Sequence, residues 1–268
     1  MMRVLLFSGS HSRHLFVLAK LLKIDASFRV VVMERESVMP LPPENISKHD
    51  LANFTRHFEK RFEIETSAFG ELTHRSVYSG IDKHVCLPHE LNSKATVEFV
   101  NKEPADICVV FGSDLIKGEL LDSLPRLSLN FHLGLSPWYR GSATLFWPFV
   151  FMEPQCAGIT IHKIVSAADA GEVLHQSVPT LKKGMGIHDV GLATVLKGSI
   201  DLVQTLNNLI KGVDLKFTAQ RTMGRLFLTN DFEPHHLRTN YDLFNDHMVD
   251  EYLAGNLGSK QPKLITSL

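Results

Sequence analysis

Asn130 and His132 stand two residues apart at the end of a short apolar run, and Asp169 follows 39 residues after Asn130 within Ser166-Ala167-Ala168-Asp169-Ala170-Gly171. The three supply an amide donor, an imidazole and a carboxylate. Alternate residues of an extended segment project to the same side, so Asn130 and His132 can reach one carbonyl oxygen. Donors preorganised at such an oxygen lower the barrier to a tetrahedral intermediate, while a carboxylate orients the imidazole and favours its charged form. This is acyl-transfer equipment without a nucleophile. Each residue alone has a plainer role: Asn130 as a strand-end cap, His132 as a satisfied ring, Asp169 as a turn former ahead of Gly171.

Other chemistries fare worse. The chain has 14 histidines, but His235 and His236 are adjacent, and no histidine pair flanks an acid at helical zinc-ligand spacing, so no metal is expected. Cys108 lies in an apolar run where burial makes a thiol inert. Ser8-Gly9-Ser10-His11-Ser12-Arg13 forms the first strand-to-helix turn, and Ser10, Ser12 and Arg13 there can hold a phosphate or simply cap the helix. It is too poor in glycine for a dinucleotide fingerprint. Arg140, followed by Gly141, is either a clamp for an anionic group or a solvated loop cation.

The segment Asn130-Phe131-His132-Leu133-Gly134-Leu135-Ser136-Pro137-Trp138-Tyr139-Arg140-Gly141-Ser142, with Asp169 in its Asp-Ala-Gly context, resembles the folate-dependent formyltransferases of glycinamide ribonucleotide, methionyl-tRNA and sugar amines. The resemblance runs from about residue 3 to about residue 180 and rests on the two spaced motifs together. It implies that Asn130, His132 and Asp169 transfer a formyl group from 10-formyltetrahydrofolate to a primary amine. It also implies a pterin site beyond the strand ending at Gly112, formed by Leu115 and Ile116 with Val165, Ala167 and Ala168. Ser10, Ser12, Arg13, Arg140 and Gly141 are then the residues for the acceptor. Family members commonly read Asn-x-His-Pro-Ser-Leu-Leu-Pro, whereas Leu133, Gly134 and Ser136 stand here in place of the Pro, the Ser and the second Leu. His11 replaces a second glycine of the phosphate loop. The Trp138-to-Ser142 continuation is closer to the sugar-amine and methionyl-tRNA branches.

The elements that must carry these residues can be read from apolar patterning. Arg3–Phe7 and Val30–Met33 are buried strands separated by a helix with Leu15, Leu18, Leu21 and Leu22. Ser47 starts a second helix bearing Leu51, Phe54, Phe58 and Phe62, a stripe expected in the core. Residues 95–100 predict a helix, and Ile107–Phe111 a central strand closed by Gly112. Leu127–Asn130 predicts the strand that delivers the Asn, and Ala157–Ile164, rich in β-branched residues, the one leading toward Asp169. A long helix is expected between Gly184 and Gly212. The alternation predicts an α/β, Rossmann-like doubly wound, mostly parallel sheet with a small C-terminal extension. Its catalytic domain spans residues 1–183, and residues 184–268 hold the helix and the extension.

The whole chain sets the remaining bounds. Its 268 residues are 44% hydrophobic, and 28 basic residues balance 29 acidic ones for a net charge of -1. That excludes a global electrostatic footprint for nucleic acid. Residues 211–268 carry seven basic and seven acidic side chains, without a basic stripe. Three separated cysteines suit a reducing compartment, and the cytoplasm is expected. The start is too short an apolar run for a signal peptide, and Leu145–Met152 is too short for a membrane span. The expected acceptor is a small, anionic amine, a nucleotide-linked amino sugar ahead of a phosphorylated metabolite or methionyl-tRNA. Self-association is left open. The competing readings are a formyltetrahydrofolate hydrolase, in which the same residues present water, and a noncatalytic folate- or nucleotide-binding module.

Overall fold

The computed structural model describes residues 1–34, 39–221 and 224–268. Five strands, β1 (Met2–Gly9), β2 (Ala26–Met33), β3 (Asp82–Cys86), β4 (Ile107–Phe111) and β5 (Ser128–His132), pair in parallel. Two more, β7 (Ile159–Lys163) and β8 (Val173–Ser177), continue the sheet antiparallel to β5 and to each other. The order β3-β2-β1-β4-β5-β7-β8 is that of an α/β, mostly parallel sheet. A small parallel ribbon pairs β6 (Tyr139–Gly141) with β9 (Arg225–Phe227).

Helices cover both faces. On one, α1 (Ser12–Leu21) and α7 (Ile187–Ile210) bury Leu15, Leu18, Leu21, Val195, Leu202 and Leu206 against Leu6, Val30, Phe131 and Ile161. The long helix expected after Gly184 thus completes the core of the sheet itself. Phe131 and Ile159 approach so closely there that a Cβ on Gly198 would lie 2.7 Å from the Phe131 ring. On the opposite face α4 (Lys94–Asn101) and α5 (Glu119–Asp122) pack Val97, Val100 and Leu120 against Leu5, Phe7, Cys108 and Val110. Because residues on a strand alternate between faces, Asn130 and His132 share this second face with Val110. Among the described residues, none of β5, β7 or β8 belongs to the core that α4 and α5 form on this face.

The connection after β2 leads into α2 (Lys48–Phe69), which begins where the sequence predicts, with Ser47 Oγ accepting from the Asp50 amide at 3.1 Å. The expected phenylalanine stripe divides: Phe54 and Phe58 are buried, whereas Phe62 and Leu51 are half-exposed. The buried pair joins Tyr139, Phe146, Trp147, Phe227, Tyr241 and Met248 in a second core. That core fastens the C-terminal part, including α8 (Met248–Leu253), to the segment following β5. The short helices α3 (His74–Val77) and α6 (Trp147–Val150) complete the α-helices of the described residues. Among the described residues, no helix is long and apolar enough to cross a membrane.

Candidate active site

β5 and β7 run antiparallel with Asn130 opposite His162 and His132 opposite Thr160. Directly opposed residues of an antiparallel pair have Cβ atoms roughly 5 Å apart, so these polar side chains gather on one surface. The chain leaves β7, turns, and brings Asp169 back over them. Asn130 Nδ2 donates to Asp169 Oδ1 at 3.0 Å. His162 Nε2 lies 3.3 Å from the same oxygen. The other oxygen, Oδ2, accepts the Gly141 amide at 2.7 Å and stands 3.5 Å from His132 Nδ1. The sequence-predicted Asn130, His132 and Asp169 are therefore brought together, with Asp169 at the centre.

Carbonyl oxygens fix the protons of both rings. His132 Nε2 faces the Tyr139 carbonyl at 2.9 Å, and His162 Nδ1 faces the Lys163 carbonyl at 2.8 Å. A carbonyl oxygen only accepts, so each of these nitrogens carries a hydrogen. In a neutral His132 that leaves Nδ1 bare beside the Asp169 carboxylate. His162 is the functional residue missed by the sequence reading. Its signal is a histidine in an otherwise apolar, β-branched run, on the same side of β7 as Thr160.

Burial decides the charges. His132 is 7% exposed, and its burial lowers the imidazole pKa below the ordinary 6.5, although Asp169 pulls it upward and His162 adds to the lowering. Burial works against the charge of Asp169 too, but the nearby His132, the His162 hydrogen bond and the Gly141 amide outweigh it. They hold the carboxyl well below the usual carboxylate range. The resting site is thus a fixed carboxylate beside a ring that favours its neutral form. Such a pair can take a proton onto Nδ1 and hold it as an ion pair.

Two backbone positions explain the sequence around the site. A Cβ on Gly141, whose φ is +88°, would lie 2.1 Å from the Phe227 carbonyl, so the amide that binds Asp169 comes from a position only glycine fits. Gly171 is equally constrained, because a Cβ there would lie 1.8 Å from the Lys163 carbonyl. Asp169 itself has φ +49°. A non-glycine residue rarely holds that conformation, and the strain, about 1 kcal/mol or somewhat more, persists where surrounding contacts impose it.

The remaining sequence-predicted residues fall into three groups. Beyond β4, Leu115 is 49% exposed whereas Ile116 turns into the α4–α5 core at 4%, so of the two only Leu115 presents its side chain to a ligand. Val165 and Ala167 are exposed and Ala168 is half-buried in the turn before Asp169. Ile164 packs on the same core as Ile116, which joins this turn to the segment after β4. Ser10 and Ser12 flank the start of α1 beyond β1, where Arg13 forms an ion pair with Glu65 of α2. Arg140 is 7% exposed, which rules out a solvated loop cation. Its Nη2 donates to the Gly224 carbonyl at 3.3 Å, and its buried Nε meets no acceptor among the described residues. Among the described residues no carboxylate pairs with it.

Burial raises the thiols, with Cys86 pushed up to about 11 and Cys156 to about 12, so neither is a nucleophile at neutral pH. Among the described residues no group of three or more His, Cys, Asp or Glu could hold a metal ion.

Comparison with known proteins agrees with this chemistry. Residues 55–194, more than half of the chain, match the formyl transferase family. The fold is similar to that of a 4-N formyltransferase from Francisella tularensis, with a TM-score of 0.56 and 14% identity over 86% of this chain and 78% of that one. It is also similar to glycinamide ribonucleotide transformylase 1 from Symbiobacterium toebii, with a TM-score of 0.53 and 16% identity over 81% and 94%. A third likeness is to an N-formyltransferase from Helicobacter canadensis, solved with folinic acid and dTDP-3-aminofucose, at a TM-score of 0.51 and 16% identity over 87% and 73%. The chain belongs to the formyl transferase family of enzymes, and its reaction is folate-dependent formyl transfer.

Proposed function

We propose that the protein transfers the formyl group of 10-formyltetrahydrofolate to the primary amine of a small anionic molecule, a nucleotide-linked amino sugar, and that Asn130, His132 and Asp169 carry out the step. The observation that carries the reading is the bare Nδ1 of His132 set 3.5 Å from the Asp169 carboxylate, with the Asn130 amide alongside. The folate is consumed as a co-substrate. The exposed Leu115, Val165 and Ala167, with the half-buried Ala168 in the turn before Asp169, offer the apolar and backbone surface a pterin needs.

The amine nitrogen attacks the formyl carbon and forms the new C–N bond. The carbonyl oxygen becomes negative. Asn130 carries two amide hydrogens: one binds Asp169, and the second faces His162 Nε2 in a long 3.3 Å contact that it can give up to meet that oxygen; such a donor contributes about a hundredfold or more to turnover. The amine loses its proton to His132 Nδ1, and the imidazolium is held by Asp169. The same proton then goes to N10 of the folate as the C–N10 bond breaks, which leaves tetrahydrofolate and the formamide.

The acceptor class rests on Arg140. Burying a cation with a backbone carbonyl but no anion beside it among the described residues costs several kcal/mol, and an anionic substrate group offsets that cost at the moment of binding. The amino-sugar ligand of the Helicobacter enzyme supports the same class, and the balanced charge of the chain argues against tRNA. Incubation with 10-formyltetrahydrofolate and a panel of amino-sugar nucleotides, followed by mass spectrometry, tests the reading. A gain of one formyl group on one panel member is expected. Formate release without any amine identifies a hydrolase instead, and efficient formylation of methionyl-tRNA sinks the small-molecule acceptor.

A further inference from the structure

Gln220, in the stretch that follows α7, touches the turn that holds Asp169. Gln220 Nε2 donates to the Asp169 carbonyl at 2.9 Å and to the Gly171 carbonyl at 2.7 Å. These use both hydrogens of the amide. Two residues earlier, Thr218 is fixed to the sheet by a bridge to Val173, in which each amide donates to the other's carbonyl at 2.8 Å. Gln220 therefore reaches the turn from a backbone tied to the edge strand β8.

The turn has little else to hold it. Its internal backbone restraint is one long hydrogen bond, from the Ala170 amide to the Ala167 carbonyl at 3.3 Å, and Val165, Ser166 and Ala167 are exposed. Asp169 sits in the left-handed region, from which an unrestrained aspartate relaxes. Its carboxylate must nevertheless meet Asn130, His162, Gly141 and His132 at once. Resting on the reading of Asp169 as the partner of His132, we propose that Gln220 is a positioning residue for the reaction: its amide clamps the two carbonyls flanking Ala170 and so fixes the Asp169 carboxylate against His132 and Asn130. The stretch after α7 is in this view part of the catalytic apparatus.

A double-mutant cycle tests the clamp. Gln220→Met keeps the length and bulk of the side chain and removes both donors, while Gln220→Glu turns acceptors toward two carbonyl oxygens. Each should lower kcat by about tenfold or more with the KM for the acceptor unchanged within about twofold, because misplacement of a reacting group by a fraction of an ångström acts on turnover. In an Asp169→Asn background, whose residual single-turnover rate is measured with the same substrates, Gln220→Met should change the rate by less than about twofold, since the group it positions is gone. Wild-type kcat in Gln220→Met overturns the clamp, and so does an equal further loss in the Asp169→Asn background, as a general folding defect would give. Asp169→Asn with wild-type activity overturns the reading of the site as well. A severe defect in Asp169→Asn beside an unimpaired Gln220→Met leaves that reading standing and removes only the clamp.

Discussion

Two turns leave the same edge of the sheet, one after β1 and one after β5, and the same kinds of residue fill both: a serine, a histidine and an arginine. They lie two strands apart in the order β1-β4-β5, about 10 Å in the hydrogen-bonding direction. In the first, Arg13 pairs with Glu65, and the His14 ring packs against Gly9 and Gly112 with its edge on Phe111. In the second, Arg140 is more deeply buried with no carboxylate among the described residues, while His132 presents a bare nitrogen to Asp169. Residue type at a strand end nominates both turns equally. What separates them is whether the charge is already met from elsewhere in the chain, and that is decided by α2, an insertion between β2 and β3.

The largest expected effect breaks the comparison at its chemical centre. Asn130→Ala and His132→Ala should each lower kcat by about a hundredfold or more with the fold intact, and Asp169→Asn should be comparably damaging. Ser12→Ala, at the equivalent place in the first turn, should leave kcat within about threefold of wild type. Steady-state kinetics on the four variants, with circular dichroism as the check on folding, decides the matter. A severe kcat defect in Ser12→Ala with near-normal His132→Ala would exchange the roles of the two turns.

The arginines give the next largest contrast. Arg140→Ala should raise the acceptor KM by about tenfold to a hundredfold, because a hydrogen bond to a charged group contributes about 1.5–3 kcal/mol. Arg13→Ala should act on stability more than on KM. It takes the paired guanidinium from Glu65, whose side chain is 14% exposed, and leaves that carboxylate to Arg61 on the same helix, at a cost of about 1–3 kcal/mol. Thermal melting and acceptor titration on both variants should show this crossed pattern. A rise in KM confined to Arg13→Ala would assign the acceptor's anion to the first turn.

Much of this was legible in the sequence because it is local. The apolar runs Ile107–Phe111 and Leu127–Asn130, the Ser47 cap and the two-residue spacing of Asn130 and His132 each follow from short-range rules; the first strand and the cap stand where expected, while the second strand runs on to His132 and leaves Asn130 in its middle. The sequence reading did not find β8, the β6–β9 ribbon or the partnership of His162. The ribbon and the contacts of His162 depend on pairing between distant segments, β6 with β9 and Asn130 with His162, whereas β8 pairs with β7 across the turn that carries Asp169. Leu115 and Ile116 illustrate the limit at single-residue scale. Nothing in two adjacent aliphatic side chains says which one faces the core, yet the structure leaves Leu115 half-exposed and buries Ile116.

That difference makes a smaller prediction for the donor side of the site. Leu115→Asp should weaken binding of a stable formylfolate analogue by about tenfold, the effect of a charge on an apolar contact surface worth about 1.5 kcal/mol. The protein should remain folded, since the side chain it replaces is outside the core. Ile116→Asp instead puts a charge into that core and should show as a loss of melting temperature. Unchanged affinity in a folded Leu115→Asp variant, measured by calorimetric titration, would move the pterin elsewhere.

The smallest expected effect is a shift of a pH profile, and it separates the second turn from an ordinary histidine site. His132 must be neutral to accept the amine proton, and burial lowers its pKa below 6.5 against the pull of Asp169. At saturating substrates kcat should therefore rise through an acid limb below that value and stay level above it, because kcat reports groups in the enzyme–substrate complex. Asp169 itself is held so far below the usual carboxylate range that it stays ionised across the limb. Its negative charge raises the His132 pKa, so removing it in Asp169→Asn leaves burial and His162 to lower the ring further, and the limb of the residual activity should move to more acid pH. An unshifted limb would mean that the titrating group is not His132, and a limb moving toward neutrality would mean that Asp169 had been holding the ring in its neutral form, which reverses the sense of the proposed proton transfer.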